Sequence, residues 1–478
     1  MKALLSRYRP TYLRSLVYML QSSEYNVGEY LSWVHRTSDF SRVERRKRLV
    51  MTPKAQLLLT WLWLMVTATW VYLGALLLFG GIGLAAWLWW ALVVSLLAPY
   101  SLAYGLAVPL LMGQVLIQRP RERAITSRAK RKLAAHPGTK IAIAGSFGKT
   151  SFKYMLAAVL AEGKKVAATP GNMNTPLGIS RFVEKLTSDE EVLILELGEY
   201  YPGDIEKLCQ LVQPDIGVIT GVNEAHLLRF KTLDRTVGTI FELADYLGDK
   251  PTYVNGESEL VKTAARGGHL VYTCEGVGSW RISQAQTGLD GTKFTAAKDK
   301  HKIKAQSGLL GLHQIGPMAA CIDVAYRLGL SVQQIEQGLA KTKPFEHRLQ
   351  PRPATDGVVT IDDSYNGNPT GVRVVIEFLG GLKGHRRWYV TPGLKEMGPS
   401  TVQVHQNIGK QLAAAEIEKV ILIRNSVTSF IAAGLNEGGF RGELIWFDDA
   451  LTCFAALPNL TVTGDVVLLQ NDWADQYA

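Results

Sequence analysis

Hydrophobic and polar positions divide the chain into stretches of different texture. In the first 54 residues they are mixed, and residues 12–33 set Leu, Tyr and Trp among Arg and Glu, the pattern of an amphipathic helix lying on a membrane surface. From residue 55 to residue 118 polarity nearly vanishes: these 64 positions hold no Asp, Glu, Lys or Arg. A span needs about 20 apolar residues to cross about 30 Å of hydrocarbon. The stretch therefore predicts a transmembrane hairpin of two helices, near 55–79 and 84–111, turning at 80–83, with Pro99 and Pro109 kinking the second. Beyond residue 138 short apolar runs alternate with helical periodicity. Strands are expected at 140–144, 192–195 and 216–220, with a helix at 154–160 after the first. Residues 252–304 carry short β-rich runs that read as the edge of this domain. After Phe345, strands at 358–361, 387–391, 419–423, 444–447 and 466–469 enclose helices at 371–382, 401–415 and 427–435. The fold class is thus α/β: a P-loop central domain (138–345) and a doubly wound C-terminal domain (346–478), preceded by a basic segment (1–54), the hairpin (55–118) and a basic linker (119–137).

Charge sharpens this division. The 478 residues carry 52 Lys and Arg against 42 Asp and Glu, a formal net charge of +10. Residues 1–54 contribute +7 and residues 119–132 contribute +6, so everything after residue 132 sums to −3. A nucleic-acid binder would carry its basic patch on the folded reading domain. Here the basic blocks bracket the apolar stretch, which suits anionic membrane lipids and speaks against a nucleic-acid partner. By the positive-inside rule both flanks lie in the cytoplasm, so the expectation is a multi-pass protein of the cytoplasmic membrane with its catalytic domains inside. Cys209, Cys274, Cys321 and Cys453 show neither CxxC nor zinc spacing and read as reduced thiols.

Candidate chemistry begins where the first strand ends. Gly145-Ser146-Phe147-Gly148-Lys149-Thr150-Ser151 joins strand to helix, and its glycines let backbone N–H groups approach phosphates at the positive end of that helix. Lys149 would reach the outer phosphates and the Thr150 hydroxyl would ligate Mg²⁺. The loop is shortened, since Ile143 stands where the usual spacing has a glycine. Glu196, at the carboxyl end of an apolar strand, is placed for Mg²⁺ beside a nucleotide, whereas Glu199 reads as a solvated loop charge. His226 follows a second strand end and suits a ligand role and a structural role equally.

These blocks resemble the Mur ligases, and within them most the D-alanyl-D-alanine-adding (MurF) branch. The likeness runs through Gly145 to Ser151, the stretch 169–178, Glu196-Leu197-Gly198, Glu224-Ala225-His226-Leu227, Gly311-Leu312-His313 and His347-Arg348-Leu349. It ends with Asp362-Asp363-Ser364-Tyr365-Asn366-Gly367-Asn368-Pro369. The resemblance implies an ATP-dependent ligase in which a carboxylate becomes an acyl phosphate that an amine then attacks. It implies Lys149, Glu196 and His226 as catalytic residues and two Mg²⁺ ions, one held by Thr150 and Glu196 and the other by His226. ATP would be held by Gly145 to Ser151 with His313, Arg348 and Asp363. Asn172, Asn174, Thr175, Tyr365, Asn366 and Asn368 would face the substrate. The partners implied are a muropeptide or other envelope-precursor carboxylate and an amino acid or dipeptide amine.

Three departures accompany the likeness. No counterpart of the family's UDP-sugar domain is evident, and the apolar hairpin stands in its place. The carbamylated lysine that the family places two residues before a helical Glu is Ile240 here, with Glu242 as the Glu. The family's His-Asn reads His313-Gln314, and a later Asn is Pro317. The leading expectation is a peptidoglycan-precursor ligase. A Mur-type ligase for another envelope polymer and a non-catalytic ATP-binding regulatory module are the alternatives.

Overall fold

The strands of the body are short apolar runs because both faces of its sheets are covered. In this computed structural model the described residues are 5–23, 25–38, 40, 49–171, 173–223, 230, 232–353, 356–364, 367–394 and 397–470. They divide into two units, Met1–Ile125 and Thr126–Ala478.

In the second unit, β1 (Thr139–Ala144), β2 (Val166–Ala168), β3 (Val192–Glu196), β4 (Ile216–Ile219), β5 (Thr252–Asn255) and β6 (Leu270–Thr273) form a parallel layer in the order β2-β3-β1-β4-β5-β6. From β6 the sheet continues antiparallel through β7 (Gly276–Val277), β8 (Trp280–Gly288), β9 (Gly291–Lys298) and β10 (His301–Ser307). The expected β-rich edge is thus an antiparallel extension whose strands are longer than their hydropathy suggests, because half of their side chains face water. Alternate residues of the parallel strands enter two cores. Ile141, Ile143 and Ile194 pack with Leu156 and Ile322, while Ala142, Leu193 and Leu195 pack with Ile179, Ile205 and Leu243.

A second sheet follows, in the order β11 (Gln350–Pro353), β12 (Val359–Asp363), β16 (Val466–Gln470), β13 (Arg387–Thr391), β14 (Lys419–Ile423) and β15 (Glu443–Phe447). All its pairings but β11–β12 are parallel. The helices Pro369–Gly381, Thr401–Ala414 and Thr428–Glu437 fall where periodicity places them. Ala450–Leu460 forms a further helix that the sequence reading lacked, with Pro458 inside it.

The first unit is built on two helices, Pro53–Phe79 and Leu84–Gly105, each long and apolar enough to cross a membrane, and most of their surface is exposed. Pro109 interrupts the second. Lacking an N–H, it leaves Gly105 O without its helical donor, Trp61 Nε1 donates to that oxygen at 3.1 Å, and the helix breaks at Leu106. The amphipathic stretch is two helices rather than one, Thr11–Ser22 and Val27–Arg36, because the Asn26 side chain caps the second by accepting from Gly28 N and Glu29 N. Their inner faces (Leu16, Val17, Leu20 and Tyr30) pack on Leu58, Leu62, Ala103 and Leu106 of the apolar pair. The basic stretch after residue 118 is helical, Arg119–Ala135.

Candidate active site

β1 lies between β3 and β4, so the loop leaving it opens at the carboxyl ends of three adjacent parallel strands. Gly145 holds φ +141°, and a Cβ there would stand 2.3 Å from Thr220 Oγ1. Gly148, at φ +80°, turns the chain into the helix Lys149–Leu160. The loop is braced from β4: Ser146 N donates to Gly221 O at 2.7 Å and Thr220 Oγ1 donates to Phe147 O at 2.5 Å. The braced backbone presents the positive end of the helix. Ser146 Oγ is buried and has no hydrogen-bond partner among the described residues.

Two carboxylates and two lysines occupy this end. Glu196, the last residue of β3, is buried. Its Oε2 accepts from Thr150 Oγ1 at 3.0 Å and from Lys153 Nζ at 2.8 Å, and its Oε1 accepts from Asn174 Nδ2 at 3.3 Å. Lys153 was absent from the sequence-derived site. It is fully buried, and it also donates to Gly171 O at 2.6 Å, tying the helix to the loop that carries Asn174. Its signal was available as a cation one helical turn after Lys149, among apolar positions. Glu199 overturns the expectation of a solvated charge: it is 4% exposed, and Lys149 Nζ donates to its two oxygens at 3.2 and 3.0 Å. Burial pushes the Glu199 carboxyl above the usual range, against the pull of Lys149. Lys149 Nζ also donates to Gly145 O.

The remaining sequence-derived residues divide. The Thr175 hydroxyl caps the helix Pro176–Glu184, accepting from Gly178 N at 3.2 Å, and Asn368 caps Pro369–Gly381, accepting from Gly371 N at 2.9 Å. Asn172, His226, Tyr365 and Asn366 lie outside the described residues. Ile240 is fully buried in the apolar core, and Glu242 accepts from Gly203 N at 2.8 Å and Glu206 N at 2.9 Å at the start of the helix Asp204–Val212. Neither position of the family's lysine–glutamate pair therefore offers a free carboxylate to the phosphate loop.

A cavity of about 620 Å³ separates the phosphate-loop helix from the C-terminal sheet, lined by Phe147, Ser151, His313, Arg348, Asp363 and Asn368 among others. Burial pushes His313 down to about 4, which keeps the imidazole neutral. Burial pushes Asp363 up to about 6, although its carboxylate accepts from Leu349 N at 3.1 Å and from Gln470 Nε2 at 2.8 Å. Arg348 stands between His347 (φ 61°) and Leu349 (φ 43°), two non-glycine residues in the left-handed region. Such conformations persist where surrounding structure enforces them, and they cluster at ligand sites. Phe147, Gly148 and Ser151 of the loop, Arg348, Asp363 and the helix-capping Asn368 thus line one chamber.

With this geometry in place, the comparisons are specific. Residues 143–325 match the Mur ligase middle domain and residues 347–470 match the Mur ligase glutamate ligase domain. The chain therefore carries the middle and C-terminal domains of the Mur ligase family, with that family's α/β fold. Among curated relatives, the UDP-N-acetylmuramoyl-tripeptide–D-alanyl-D-alanine ligase of Mycobacterium bovis is 30% identical over 310 residues, covering 61% of this chain and 59% of that protein. The ligase of the same name from Bacillus subtilis is 26% identical, covering 70% of this chain and 73% of that protein. The crystal structure of MurF ligase from Thermotoga maritima in complex with ADP superposes with a TM-score of 0.63 at 25% identity, covering 73% of this chain and 80% of that one. The chain thus spans about 59% of the length of the mycobacterial relative.

Proposed function

We propose that this chain is a membrane-anchored, ATP-dependent amide ligase that activates a peptidoglycan-precursor carboxylate as an acyl phosphate and joins it to D-alanyl-D-alanine or a similar amine. The observation that carries the reading is the phosphate loop itself: Lys149 and Thr150 stand at a helix N-terminus, each bonded to a buried carboxylate, and Phe147, Gly148 and Ser151 of that loop line a chamber with Arg348 and Asp363. The relatives' names and the ADP complex of the Thermotoga structure support the nucleotide and the substrate class.

In this reading the N–H groups of residues 145–150 and the Lys149 ammonium hold the nucleotide phosphates, and the unpartnered Ser146 hydroxyl has its use there. The Thr150 and Glu196 oxygens suit Mg²⁺, a hard cation that takes one or two carboxylates beside phosphates. When bound, Mg²⁺ supplies neutralisation of charge on the transferring phosphoryl group. Lys153 fixes the Glu196 carboxylate and, through Gly171 O, the loop of Asn174, which places the substrate carboxylate against the phosphate. Arg348, from the C-terminal domain, counters phosphate charge from the opposite wall. The carboxylate oxygen attacks the γ-phosphorus and ADP leaves; the amine then attacks the acyl carbon and phosphate departs.

The exposed apolar helices Pro53–Phe79 and Leu84–Gly105, flanked by basic residues, support the anchor. They also favour an acceptor presented at the membrane, such as a lipid-linked muropeptide. The test is phosphate release by the detergent-purified chain with ATP, Mg²⁺, D-alanyl-D-alanine and either a UDP-linked or a lipid-linked muropeptide. Release dependent on the muropeptide is expected. No release with either acceptor, together with ATP binding that survives Lys149→Ala, would sink the ligase reading.

A further inference from the structure

Tyr154 follows Lys153 on the phosphate-loop helix, and the mechanism above gives it no task. It is 38% exposed and lines the cavity, so its ring belongs to neither core of the central sheet. Both ends of the side chain are nonetheless engaged. Gly171 N donates to the hydroxyl oxygen at 3.0 Å, and Phe345 stacks on the ring with centroids 5.2 Å apart and planes 12° from parallel. Each of these neighbours stands three residues ahead of a side chain used in the proposed mechanism. Gly171 leads to Asn174, whose Nδ2 donates to Glu196 Oε1 at 3.3 Å. Phe345 leads to Arg348, and Arg348 N donates to Phe345 O at 3.0 Å. This second segment connects the helix Val332–Ala340 to β11, so it joins the central domain to the C-terminal sheet. Lys153 holds the same glycine by its other backbone group: the ammonium donates to Gly171 O at 2.6 Å and lies 4.9 Å from the centre of the Tyr154 ring. Consecutive residues of one helix thus grip both polar groups of Gly171, while the ring of the second also meets Phe345. A tyrosine side chain turns about only two torsions, and the backbone of Tyr154 is fixed in a helix. A displacement of Phe345 therefore tilts the ring and moves the hydroxyl off Gly171 N, and the reverse holds as well. Contiguous contacts of this kind are the physical route by which two sites couple.

We propose that Tyr154 is a positioning residue that ties the substrate segment after Gly171 to the Arg348 wall of the nucleotide chamber. Each ligand then binds more tightly when the other is in place, which brings the carboxylate oxygen and the γ-phosphorus together only in the complete complex. The inference rests on the function proposed above and names a residue through which its two substrates communicate. The test uses the detergent-purified full chain and isothermal titration calorimetry. The dissociation constant of a non-hydrolysable ATP analogue with Mg²⁺ is measured alone and at saturating UDP-linked or lipid-linked muropeptide, and the ratio of the two values is the coupling factor. In the wild type a factor of about 5 to 150 is expected, the usual range for coupled sites. Tyr154→Phe keeps the stack and loses the bond to Gly171, whereas Phe345→Leu loses the stack; each is expected to bring the factor close to one. Phe345→Tyr, which keeps a ring to stack, is expected to retain it. Because the factor compares one variant with itself, a general loss of stability or of a nucleotide contact cancels from it. A factor of one in the wild type, or an unaltered factor in Tyr154→Phe or in Phe345→Leu, would overturn the assignment. Absence of analogue binding or of muropeptide binding by the wild type would instead overturn the proposed function itself.

Discussion

Two lysine–carboxylate pairs lie one turn apart on the helix Lys149–Leu160, alike in chemistry and different in surroundings. Lys153 and Glu196 form the inner pair: the lysine is fully buried, its ammonium is also bonded to Gly171 O, and the carboxylate is shared with Thr150 and Asn174. Lys149 and Glu199 form the outer pair, with the lysine on the phosphate loop and the carboxylate carrying a raised affinity for a proton. The difference teaches that how much of the fold a buried ion pair fastens depends on how many other bonds each charge makes. The inner pair joins strand, helix and loop, whereas the outer pair joins the phosphate loop to the segment that follows β3.

The sharpest way to break this comparison is to remove each lysine in turn. Lys153→Met strands Glu196 in a dry site, and breaking a buried pair in this way costs about 3–5 kcal/mol. Urea unfolding should show that loss, and pairing the change with Glu196→Gln should restore part of it. A Lys153→Met protein as stable as the wild type would refute the fastener role. Lys149→Met should be milder in unfolding, because the Glu199 carboxyl can take up a proton. Its effect belongs in turnover, where loss of one preorganised donor costs about 10²–10³-fold. Phosphate release at saturating acceptor reads that loss, and a Lys149→Met protein of normal turnover would put the phosphate contact elsewhere.

A smaller effect contrasts the two walls of the cavity through pH. His313 is depressed from 6.5 to about 4, so the folded chain binds fewer protons than the unfolded chain between those values, and this contribution makes stability rise with pH there. Asp363 is raised from 3.8 to about 6, so the folded chain holds the extra proton, and its contribution makes stability fall as pH rises across nearly the same window. The two oppose each other in the wild type. Asp363→Asn should steepen the rise in urea midpoint between pH about 4 and 6, and His313→Gln should convert it to a fall. Slopes unchanged in both variants would show that neither group is shifted as the cavity walls imply.

Apolar helices show why reading the chain was only partly sufficient. Ile315–Arg327 and Leu84–Gly105 are both apolar on most faces, yet the first is buried under the central sheet and the second is largely exposed. Length and charge differ between them, since 13 residues are too few to span a bilayer and 64 uncharged positions suffice for two spans. The phosphate loop and Glu196 were legible because glycine spacing and a strand-terminal carboxylate are local signals. Thr175 and Asn368, read as facing substrate, each also cap a helix, the ordinary use of such residues one position before a proline-started helix, and Asn368 lines the cavity as well.

By itself the sequence determined the α/β body, the apolar pair ahead of it, the phosphate loop and the strand that ends in Glu196, because periodicity, charge and glycine placement act over a few residues. Only the tertiary structure decided which charges meet. Lys149 finds Glu199 across fifty positions and Lys153 finds Glu196 across forty-three, and neither partner is marked by spacing. Burial is a property of the packed chain, and it is burial that turns Glu199 from a loop charge into the partner of Lys149 with a raised affinity for a proton.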